Sequence, residues 1–360
     1  MRICFVSLGT FNHIGPYLDY FKGTGHDVHF VSMSPGPDRG IPTYNVGFGR
    51  NYSQIGGKWR YPISMLRARR LIKKLKPEIV HAHYVTSCGL AALVCGFHPT
   101  VVTAHGSDLT VGVKSRIWRP LLRRIFEFSD CINTVSPDLA NMVESLGINS
   151  DKIRTLTLGI DTEKFSFSQR HQFDKSRTLR LVCTRRLESV FDHHTIVDAL
   201  VSLKARHIKF EMTFAGDGSL RDELSQHVND VALDESVKFT GRLDNDELPE
   251  VLSRHDVYLS ASLWDGASLS LLEAMATGLF PIVSHIKANS TWLGHNVDGL
   301  LHKVGDSKDL AECIVTFCNN PRLAAVAARR NREKAVELAD RATNMKRLEG
   351  IYEELVTKRR

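Results

Sequence analysis

The sequence predicts an α/β protein made of two doubly wound domains, each built on a parallel sheet. Short apolar runs alternate with helical patterns along almost the whole chain, and one polar stretch without a period interrupts them. The length of 360 residues fits about two domains. Parallel sheets covered by helices on both faces give this alternation. They bind ligands outside the carboxyl ends of their strands, so we expect the chemistry in the loops there.

Ten strands are predicted, five in each half of the chain. They cover residues 3–7, 28–32, 79–82, 100–104, 131–136, 179–184, 210–216, 237–241, 256–262 and 280–284. Several helices between them have recognisable starts. Ser136 is a predicted N-cap followed by Pro137, Ser307 is another predicted cap, and Asp244 with Glu247 resembles a capping box.

The domain boundary is predicted where the alternation breaks, in the polar stretch 157–178. We place it near residue 170, so that residues 1–170 form the first domain and residues 171–340 the second. The final stretch, 339–360, has a helical pattern. It is expected either to fold back on the first domain or to cap the second.

The composition narrows the class of protein. With 42% hydrophobic and 24% charged residues, the chain is neither disordered, collagen-like nor a disulfide scaffold. Its seven cysteines are scattered without CxxC spacing, which favours reduced thiols in a cytoplasmic protein over a zinc or redox site. No apolar run reaches the roughly 20 residues that span a bilayer, and the apolar start is too short for a signal peptide.

The basic excess lies entirely in the first half of the chain. Residues 1–170 hold 21 Lys and Arg against 12 Asp and Glu, whereas the remainder holds 26 against 28. Two stretches, 67–76 and 114–124, alternate basic and apolar residues at helical spacing. Such helices either lie on an anionic membrane surface or pack on the core with a solvated basic face. Nucleic acid is not an expected partner, because no nucleic-acid-binding motif accompanies the charge.

The strongest local signal is the segment 265–283, DGASLSLLEAMATGLFPIV. A strand ends before it, Gly266 permits a tight turn and close approach of a ligand, and a helix is predicted to begin near residue 267 or 268. Free amides at a helix N-terminus bind anions, with help from the helix dipole. Those amides are expected to belong to Ala267, Ser268 and Leu269.

Two carboxylates accompany this predicted anion site. Asp265 precedes the helix, and Glu273 follows eight residues later. Carboxylates beside a phosphate-binding helix end suit the hydroxyl groups of a sugar and a ribose. The alternative is a capping Asp and a Glu on a solvated helix face.

The segment resembles the EGxxLxxLEAMAxGxPVI signature of the GT4-type family of retaining glycosyltransferases, which have the GT-B fold. Further matching segments, which raise the coverage to about three quarters of the chain, follow in the family's order: residues 25–32, 77–83, 101–109, 151–165, 214–224 and 238–262. The resemblance implies two Rossmann-like domains facing across a cleft. The first would hold the acceptor and the second a nucleotide-sugar donor.

The resemblance also implies roles for single residues. Asp265, in place of the usual Glu, and Glu273 would hold the donor's hexose and ribose. His105 would contact the donor sugar near its anomeric carbon, although a strand-end histidine taken alone is more often structural. Asp108 would orient His105 or cap the next helix.

Other residues are implied with less detail. The donor side would include Gly216 and Gly218 beside the nucleotide, and Arg242 and Leu243 at the base. On the acceptor side Gly15 would offer a backbone contact, and the Gly-rich aromatic stretch 46–62 would be a lid or simply a surface loop. The histidines of the strand at 79–82 and its end, His81 and His83, are interpreted as buried strand residues.

The sequence departs from the family where the leaving nucleoside diphosphate is bound. The usual pattern is GRLxxxKG, and here Arg186 is kept but Phe191 stands at the Lys position. Loss of a cation weakens stabilisation of the leaving group. The groups that could replace it are Arg185, a protonated His193 or His194, or a basic residue from elsewhere. The alternative is a slow or inactive enzyme.

Taken together, the resemblance implies a metal-independent retaining hexosyltransferase with no cofactor. Its donor is expected to be a UDP-sugar, and its acceptor a hydroxyl of a glycan or a lipid-linked molecule, with the departing phosphate taking the acceptor's proton. A cytoplasmic location, peripheral at the inner membrane face, is expected. The rivals are a catalytically silent GT-B scaffold protein and a GT-B epimerase. The DHH string at 192–194 and the DxD string at 244–246 are not interpreted as metal sites.

Overall fold

The computed structural model describes residues 1–9, 11–35, 39–47, 61–168, 174 and 176–359. The chain divides into two compact units, Met1–Leu158 with Ala342–Arg360, and Gly159–Arg341. The division comes earlier than the predicted residue 170. The reason is that two backbone hydrogen bonds tie Ile160 to the second unit. Its N–H donates to Ala339 O at 2.8 Å, and its carbonyl accepts from Arg341 N at 2.8 Å.

The first unit is built on a parallel sheet. Its described strands have the order β3-β2-β1-β4-β5-β6-β7. The strands are β1 (Arg2–Ser7), β2 (Asp27–Ser32), β3 (Thr43–Asn45), β4 (Ile79–His83), β5 (Thr100–Ala104), β6 (Cys131–Thr134) and β7 (Ile153–Thr155). The helices are α1 (Phe11–Gly23), α2 (Tyr61–Leu75), α3 (Leu90–Cys95), α4 (Ser107–Lys114), α5 (Trp118–Phe128) and α6 (Pro137–Glu144), with a π-helical turn at Val85–Gly89.

The second unit repeats this design with a parallel sheet whose described strands have the order β10-β9-β8-β11-β12-β13. The strands are β8 (Leu179–Cys183), β9 (Phe210–Phe214), β10 (Val237–Phe239), β11 (Val257–Ser260), β12 (Phe280–Ser284) and β13 (Leu300–His302). The helices are α7 (His193–Ala205), α8 (Arg221–Asp230), α9 (Leu248–Ser253), α10 (Leu269–Thr277), α11 (Lys287–Ser290), α12 (Ser307–Asn319) and α13 (Pro321–Ala339). The last helix, α14 (Arg341–Thr357), returns to the first unit.

The predicted fold class is confirmed, and each of the ten predicted strands is present. The central strands β4, β5 and β12 are buried at every position, as expected where helices cover both faces. Three strands of three residues each, β3, β7 and β13, are additional. The first two are largely exposed at the sheet edge, so they lack the apolar run that marks a strand in sequence.

The predicted helix caps are confirmed in part. Ser136 Oγ accepts from Leu139 N, and Pro137 is the first helical residue. The prediction for Ser307 is wrong by one position, because Asp306 is the cap and accepts from Asp309 N at 2.9 Å. All seven cysteines are buried thiols without disulfides, as expected.

The C-terminal helix α14 packs within the first unit, the first of the two alternatives for this stretch. The Tyr352 hydroxyl is fully buried and hydrogen-bonds His81 Nδ1, and its ring stacks on Phe21 at 5.0 Å. Glu349 accepts from the Tyr20 hydroxyl at 2.9 Å and pairs with His26 at 2.6 Å. Among the described residues, no helix is long and apolar enough to cross a membrane.

Each sheet has one point where the strand order reverses. It lies between β1 and β4 in the first unit and between β8 and β11 in the second. Helices leave opposite faces of the sheet on the two sides of such a point, which opens a crevice at the carboxyl ends of the two strands. The loops after these strands are therefore where each unit's site is expected.

Candidate functional site

The site of the second unit forms around the N-terminus of α10. The helix begins at Leu269, one or two residues later than predicted, with Ser268 as its cap and the Ser268 hydroxyl accepting from Leu271 N at 3.3 Å. Gly278, at φ +81°, ends it. The backbone from Ala267 to Leu269 thus leads into the positive end of a nine-residue helix.

Arg185 is the cation that the structure places at this helix end. It follows β8, and its Nη2 donates to Asp265 Oδ2 at 2.6 Å, while both side chains are nearly buried, at 11% and 14% exposure. Nη1 donates to the hydroxyls of Ser268 at 3.2 Å and Ser270 at 3.1 Å. The loops after β8 and β11 therefore meet through an ion pair at the reversal point of the sheet.

Arg186, the residue expected to neutralise the leaving group, points elsewhere. Its side chain is 75% exposed and donates to Glu188 Oε1 at 3.0 Å. The two arginines are consecutive in the loop after β8, yet their side chains have different partners. The structure thus places Arg185, and not Arg186, with Asp265.

The two predicted carboxylates are in different environments. Asp265 accepts from Gly266 N at 2.8 Å through Oδ1 and from Arg185 through Oδ2. Glu273 lies in the middle of α10, and its side chain is partly buried. Burial raises the pKa of Glu273 to about 7, against the opposing charges of Arg341, Arg185 and Lys164.

Neither histidine of the 192–194 string provides the missing cation. His193 is fully buried at the start of α7, and burial together with the charge of Arg185 lowers its pKa to about 4, so that it is neutral at pH 7. His194 turns toward α8, where it pairs with Glu223 at 3.0 Å and stacks on His227. Of the groups considered for the missing charge, Arg185 is the one at the helix end.

Two glycines predicted to lie beside the nucleotide are required by close packing. A Cβ on Gly216 would lie 2.3 Å from Arg185 O, and one on Gly218 would lie 2.4 Å from Leu187 O. The loop after β9 can therefore approach the loop that carries Arg185 only with glycine at both positions. Arg242 is exposed beyond β10, and Leu243 packs on the apolar cluster of Tyr258 and Leu271.

In the first unit, His105 follows β5 and lies beside a second histidine. His83 Nδ1 and His105 Nε2 are 3.1 Å apart, and the ring of Tyr84 lies 4.6 Å from that of His105. Tyr84 has φ +73°, a strained value for a non-glycine residue. Sequence reasoning missed the contact of His83, although its place at the end of the strand next to β5 was the available signal.

Asp108 holds the loop that carries His105. Its carboxylate accepts from the backbone N–H groups of Val85 at 2.8 Å, Gly106 at 2.8 Å and His105 at 3.1 Å. Burial raises the pKa of Asp108, and these hydrogen bonds oppose that shift. Asp108 thus fixes the backbone of His105 rather than its ring.

The predictions for the acceptor side are corrected or remain open. Gly15 lies inside α1, where the helix normally uses a backbone N–H, so it does not supply the expected loop contact. A Cβ there would meet the guanidinium of Arg39 at 2.7 Å. Most of the proposed lid, residues 48–60, lies outside the described residues. In the described part of the chain, no group of three or more His, Cys, Asp or Glu is placed to hold a metal ion.

Sequence models of two protein families match the chain, one after the other. Glycosyltransferase Family 4 matches residues 9–164, and Glycosyl transferases group 1 matches residues 165–334. The border between the two matches falls at the start of the second unit.

Three relatives have informative names. The chain is 27% identical over 221 residues to the amylovoran biosynthesis glycosyltransferase AmsK of Erwinia amylovora, covering 60% of this chain but only about half, 54%, of AmsK. It is 25% identical to N-acetyl-alpha-D-glucosaminyl L-malate synthase of Bacillus anthracis, covering 97% and 95%. It is 24% identical to UDP-Gal:alpha-D-GlcNAc-diphosphoundecaprenol alpha-1,3-galactosyltransferase of Escherichia coli, covering 81% and 79%.

Solved structures share the fold over the whole chain. The structure of HepE of Anabaena in complex with UDP has a TM-score of 0.80 at 18% identity, covering 99% of this chain and 100% of HepE. The same protein in complex with UDP-glucose has a TM-score of 0.76 at 17% identity, with the same coverage.

Proposed function

Because the chain belongs to the GT4-type, or group 1, glycosyltransferases, we propose that it is a retaining hexosyltransferase. Its donor would be a UDP-sugar, and its acceptor a hydroxyl of a glycan or a lipid-linked molecule. The observation that carries the proposal is the buried Arg185–Asp265 pair at the N-terminus of α10, where the second sheet reverses its strand order. A cation and a helix N-terminus at one point suit a diphosphate.

The groups that would bind the donor lie beside the Arg185–Asp265 pair. Amides of residues 267–269 would meet the phosphates, and Glu273 in the same helix would accept hydrogen bonds from the donor's ribose. The complexes of HepE with UDP and UDP-glucose support uridine as the nucleoside of the donor. Because Arg185 and the helix end offer positive charge to the diphosphate, we propose that neither a metal ion nor a cofactor is required.

The acceptor proposal rests on the first unit. His105, whose backbone is held by Asp108, would contact the donor sugar near its anomeric carbon, where the acceptor hydroxyl reacts. The departing phosphate would take the proton of the acceptor hydroxyl on the face from which it leaves. The galactosyltransferase of Escherichia coli, whose name specifies a diphosphoundecaprenol acceptor, supports a lipid-linked molecule.

We further propose that the basic helices of the first unit bind anionic lipid at the inner membrane face. Crossovers between parallel strands are right-handed, and the chain moves in one direction from β3 to β6, so α2 and α5 share a face of the sheet. Arg70 in α2 and Arg119 in α5 are exposed, and so is Arg116, two residues before α5. Leu66 and Ile117 are apolar but exposed, at 50% and 81%. Cations around exposed apolar side chains suit an anionic bilayer surface.

Co-sedimentation with vesicles tests the membrane proposal. We expect binding to phosphatidylglycerol vesicles, weakened by salt, and none to phosphatidylcholine. Arg116→Glu with Arg119→Glu should abolish it, whereas Lys238→Glu with Lys308→Glu, which reverses two exposed charges of the second unit, should not. Equal loss in both double variants would contradict a specific surface.

The main experiment measures release of nucleoside diphosphate from a panel of UDP- and GDP-sugars, with lipid-linked and glycan acceptors, in buffer with and without EDTA. We expect one donor to be used, the product to keep the anomeric configuration of the donor in its NMR spectrum, and EDTA to have no effect. Release without any acceptor would favour hydrolysis or epimerisation.

A second candidate function is a catalytically silent donor-binding protein. Phe191 at the position of the usual lysine favours it. Calorimetry distinguishes the two, because donor binding without turnover across the acceptor panel would select the silent protein.

A further inference from the structure

The guanidinium of Arg185 is immobilised more completely than a cation on the surface would be. Asp265, Ser268 and Ser270 accept hydrogen bonds from its two terminal nitrogens. Its carbon Cζ lies 4.0 Å from the centroid of the Phe191 ring. A cation held by a carboxylate, two hydroxyls and an aromatic face loses little freedom when a ligand binds.

One donor of this guanidinium remains unused. The Nε–H of Arg185 is buried and has no hydrogen-bond partner among the described residues. A buried unpaired N–H is costly, so a site that keeps one generally offers it to a ligand. This N–H lies beside the N-terminus of α10, where an anionic acceptor is also favoured.

Asp265 uses both of its oxygens inside the protein. Oδ1 accepts from Gly266 N and Oδ2 accepts from Arg185. Phe191 presents its ring face to Arg185, and its own side chain is half-buried. Both residues therefore act on Arg185 in this structure.

We propose that Arg185 is the cation that stabilises the leaving diphosphate, and that Phe191 and Asp265 are positioning residues which aim its free Nε–H at that group. The inference rests on the proposed function. As transfer proceeds, the bond between C1 of the sugar and the phosphate oxygen breaks, and its electron pair stays on the diphosphate. The acceptor oxygen bonds to C1, and its proton goes to the departing phosphate. Arg185 meets the negative charge that this step places on the diphosphate.

The first test compares ligands with and without phosphate. In calorimetry, Arg185→Lys should lower the affinity for UDP about 100-fold and leave the affinity for uridine unchanged. A lysine cannot donate to the three acceptors of Arg185 and still present an N–H in a fixed position. With a competent donor, the factor by which kcat falls should exceed the factor by which KM rises. Unchanged uridine affinity reports that the variant is folded.

The second test removes the aromatic face. Phe191→Leu keeps an apolar side chain and should lower kcat about tenfold. The matched control is Phe239→Leu, because the guanidinium of Arg221 lies 4.9 Å from the Phe239 ring in the same unit, away from Arg185. That control should leave kcat unchanged. Equal losses in both variants would mean that the ring serves only folding.

The third test asks whether the charge can be moved. In an Arg185→Met background, Phe191→Lys would place an ammonium near the space of the lost guanidinium, and we expect it to restore kcat at least tenfold. In the wild-type background it should lower kcat, because two cations would compete for that space. Failure of the rescue would contradict the proposed role of charge.

The fourth test separates positioning from sugar recognition. Asp265→Asn should lower kcat about tenfold with all donor sugars alike, since its effect passes through Arg185. A change in the ranking of sugars would instead assign Asp265 to the hexose and overturn its positioning role.

If wild type binds neither UDP nor GDP, the proposed function itself fails. If it binds and turns over UDP-sugar while Arg185→Lys keeps the UDP-to-uridine affinity ratio, this inference alone fails.

Discussion

The two reversal points of the sheets differ in how they hold their polar groups. In the second unit, Arg185 and Asp265 form a nearly buried ion pair at a helix N-terminus. In the first unit, His83 contacts His105, and the carboxylate of Asp108 binds backbone N–H groups only. One fold thus places fixed charge at one reversal point and imidazoles at the other.

The difference teaches what each site can do. A fixed cation stabilises a charge that is present in the bound ligand and grows during reaction, which suits a diphosphate. Imidazoles on a fixed backbone offer hydrogen bonds without permanent charge, which suits neutral hydroxyl groups. Local chemistry thus supports the proposed assignment of the donor to the second unit and of the acceptor to the first, and variants of the two sites should lose different properties.

The largest combined effect on turnover and stability is expected from Glu273→Gln. Turnover should fall about 10²- to 10³-fold, because the carboxylate proposed to accept hydrogen bonds from the donor is lost. Stability should rise. The raised pKa of Glu273, about 7, means that the folded state holds a proton which the unfolded state releases near its ordinary value of 4.5, so stability falls as pH rises between them. Removing the group should add up to about 3 kcal/mol at pH 7.5.

Kinetics and urea unfolding at pH 7.5 measure the two effects, and Glu250→Gln, at an exposed glutamate, is the control. A variant that loses both activity and stability would mean that Glu273 is a structural group, and the contrast between the two sites would weaken.

His105→Ala should give the next largest effect, a fall in kcat of about 100-fold. UDP affinity should stay within about twofold, because the proposed diphosphate site lies in the second unit. His83→Ala should cost about tenfold through the orientation of His105. Calorimetry with UDP and steady-state kinetics separate these outcomes. A large loss of UDP affinity in His105→Ala would contradict the assignment of charge recognition to the second unit alone.

The strands, the loops and the types of residue at the site of the second unit could be predicted from the sequence, because these follow from local patterns. The choice between Arg185 and Arg186 could not, because it depends on which side chain faces Asp265, 80 residues later in the chain. The pairing of His83 with His105 also needs the alignment of two strands. Gly15, expected to offer a backbone contact, lies instead inside α1, because this helix includes both a glycine and a proline, which are unfavourable in helix interiors.

The third prediction concerns acid stability of the two units. Burial lowers the pKa of His81 to about 3, well below its ordinary value of 6.5. Its neutral ring is bound by the hydroxyls of Tyr352 and Thr103. Stability is complete above pH 6.5 and is lost as the pH falls toward 3, so the first unit should lose about 2 kcal/mol between pH 6.5 and 5.

The second unit should lose less stability over this range. The lowered pKa values of its His193, near 4, and of its His302 mean a loss of stability in the same direction, but the protonation of Glu273 stabilises this unit and opposes that loss. Hydrogen exchange resolved by unit should therefore show that the first unit opens first in acid. Glu273→Gln should remove the compensation, so that both units weaken together. An equal loss of stability in both units of the wild type would contradict the expected opposition between the buried histidines and Glu273.

The smallest effect is expected from Arg186→Gln, and it sharpens the comparison most directly. Arg186 is 75% exposed, and its ion pair with Glu188 is a surface pair of the kind worth about 1 kcal/mol or less. Turnover should fall by threefold at most, whereas Arg185→Gln, one residue away, should cost about 1000-fold. Both variants lose the same charge, so bulk electrostatics cannot account for a difference between them. A 100-fold loss of turnover in Arg186→Gln would mean that Arg186 moves toward the diphosphate when the donor binds. The positive charge of the second site would then come from a rearrangement on binding and not from the fixed Arg185–Asp265 pair.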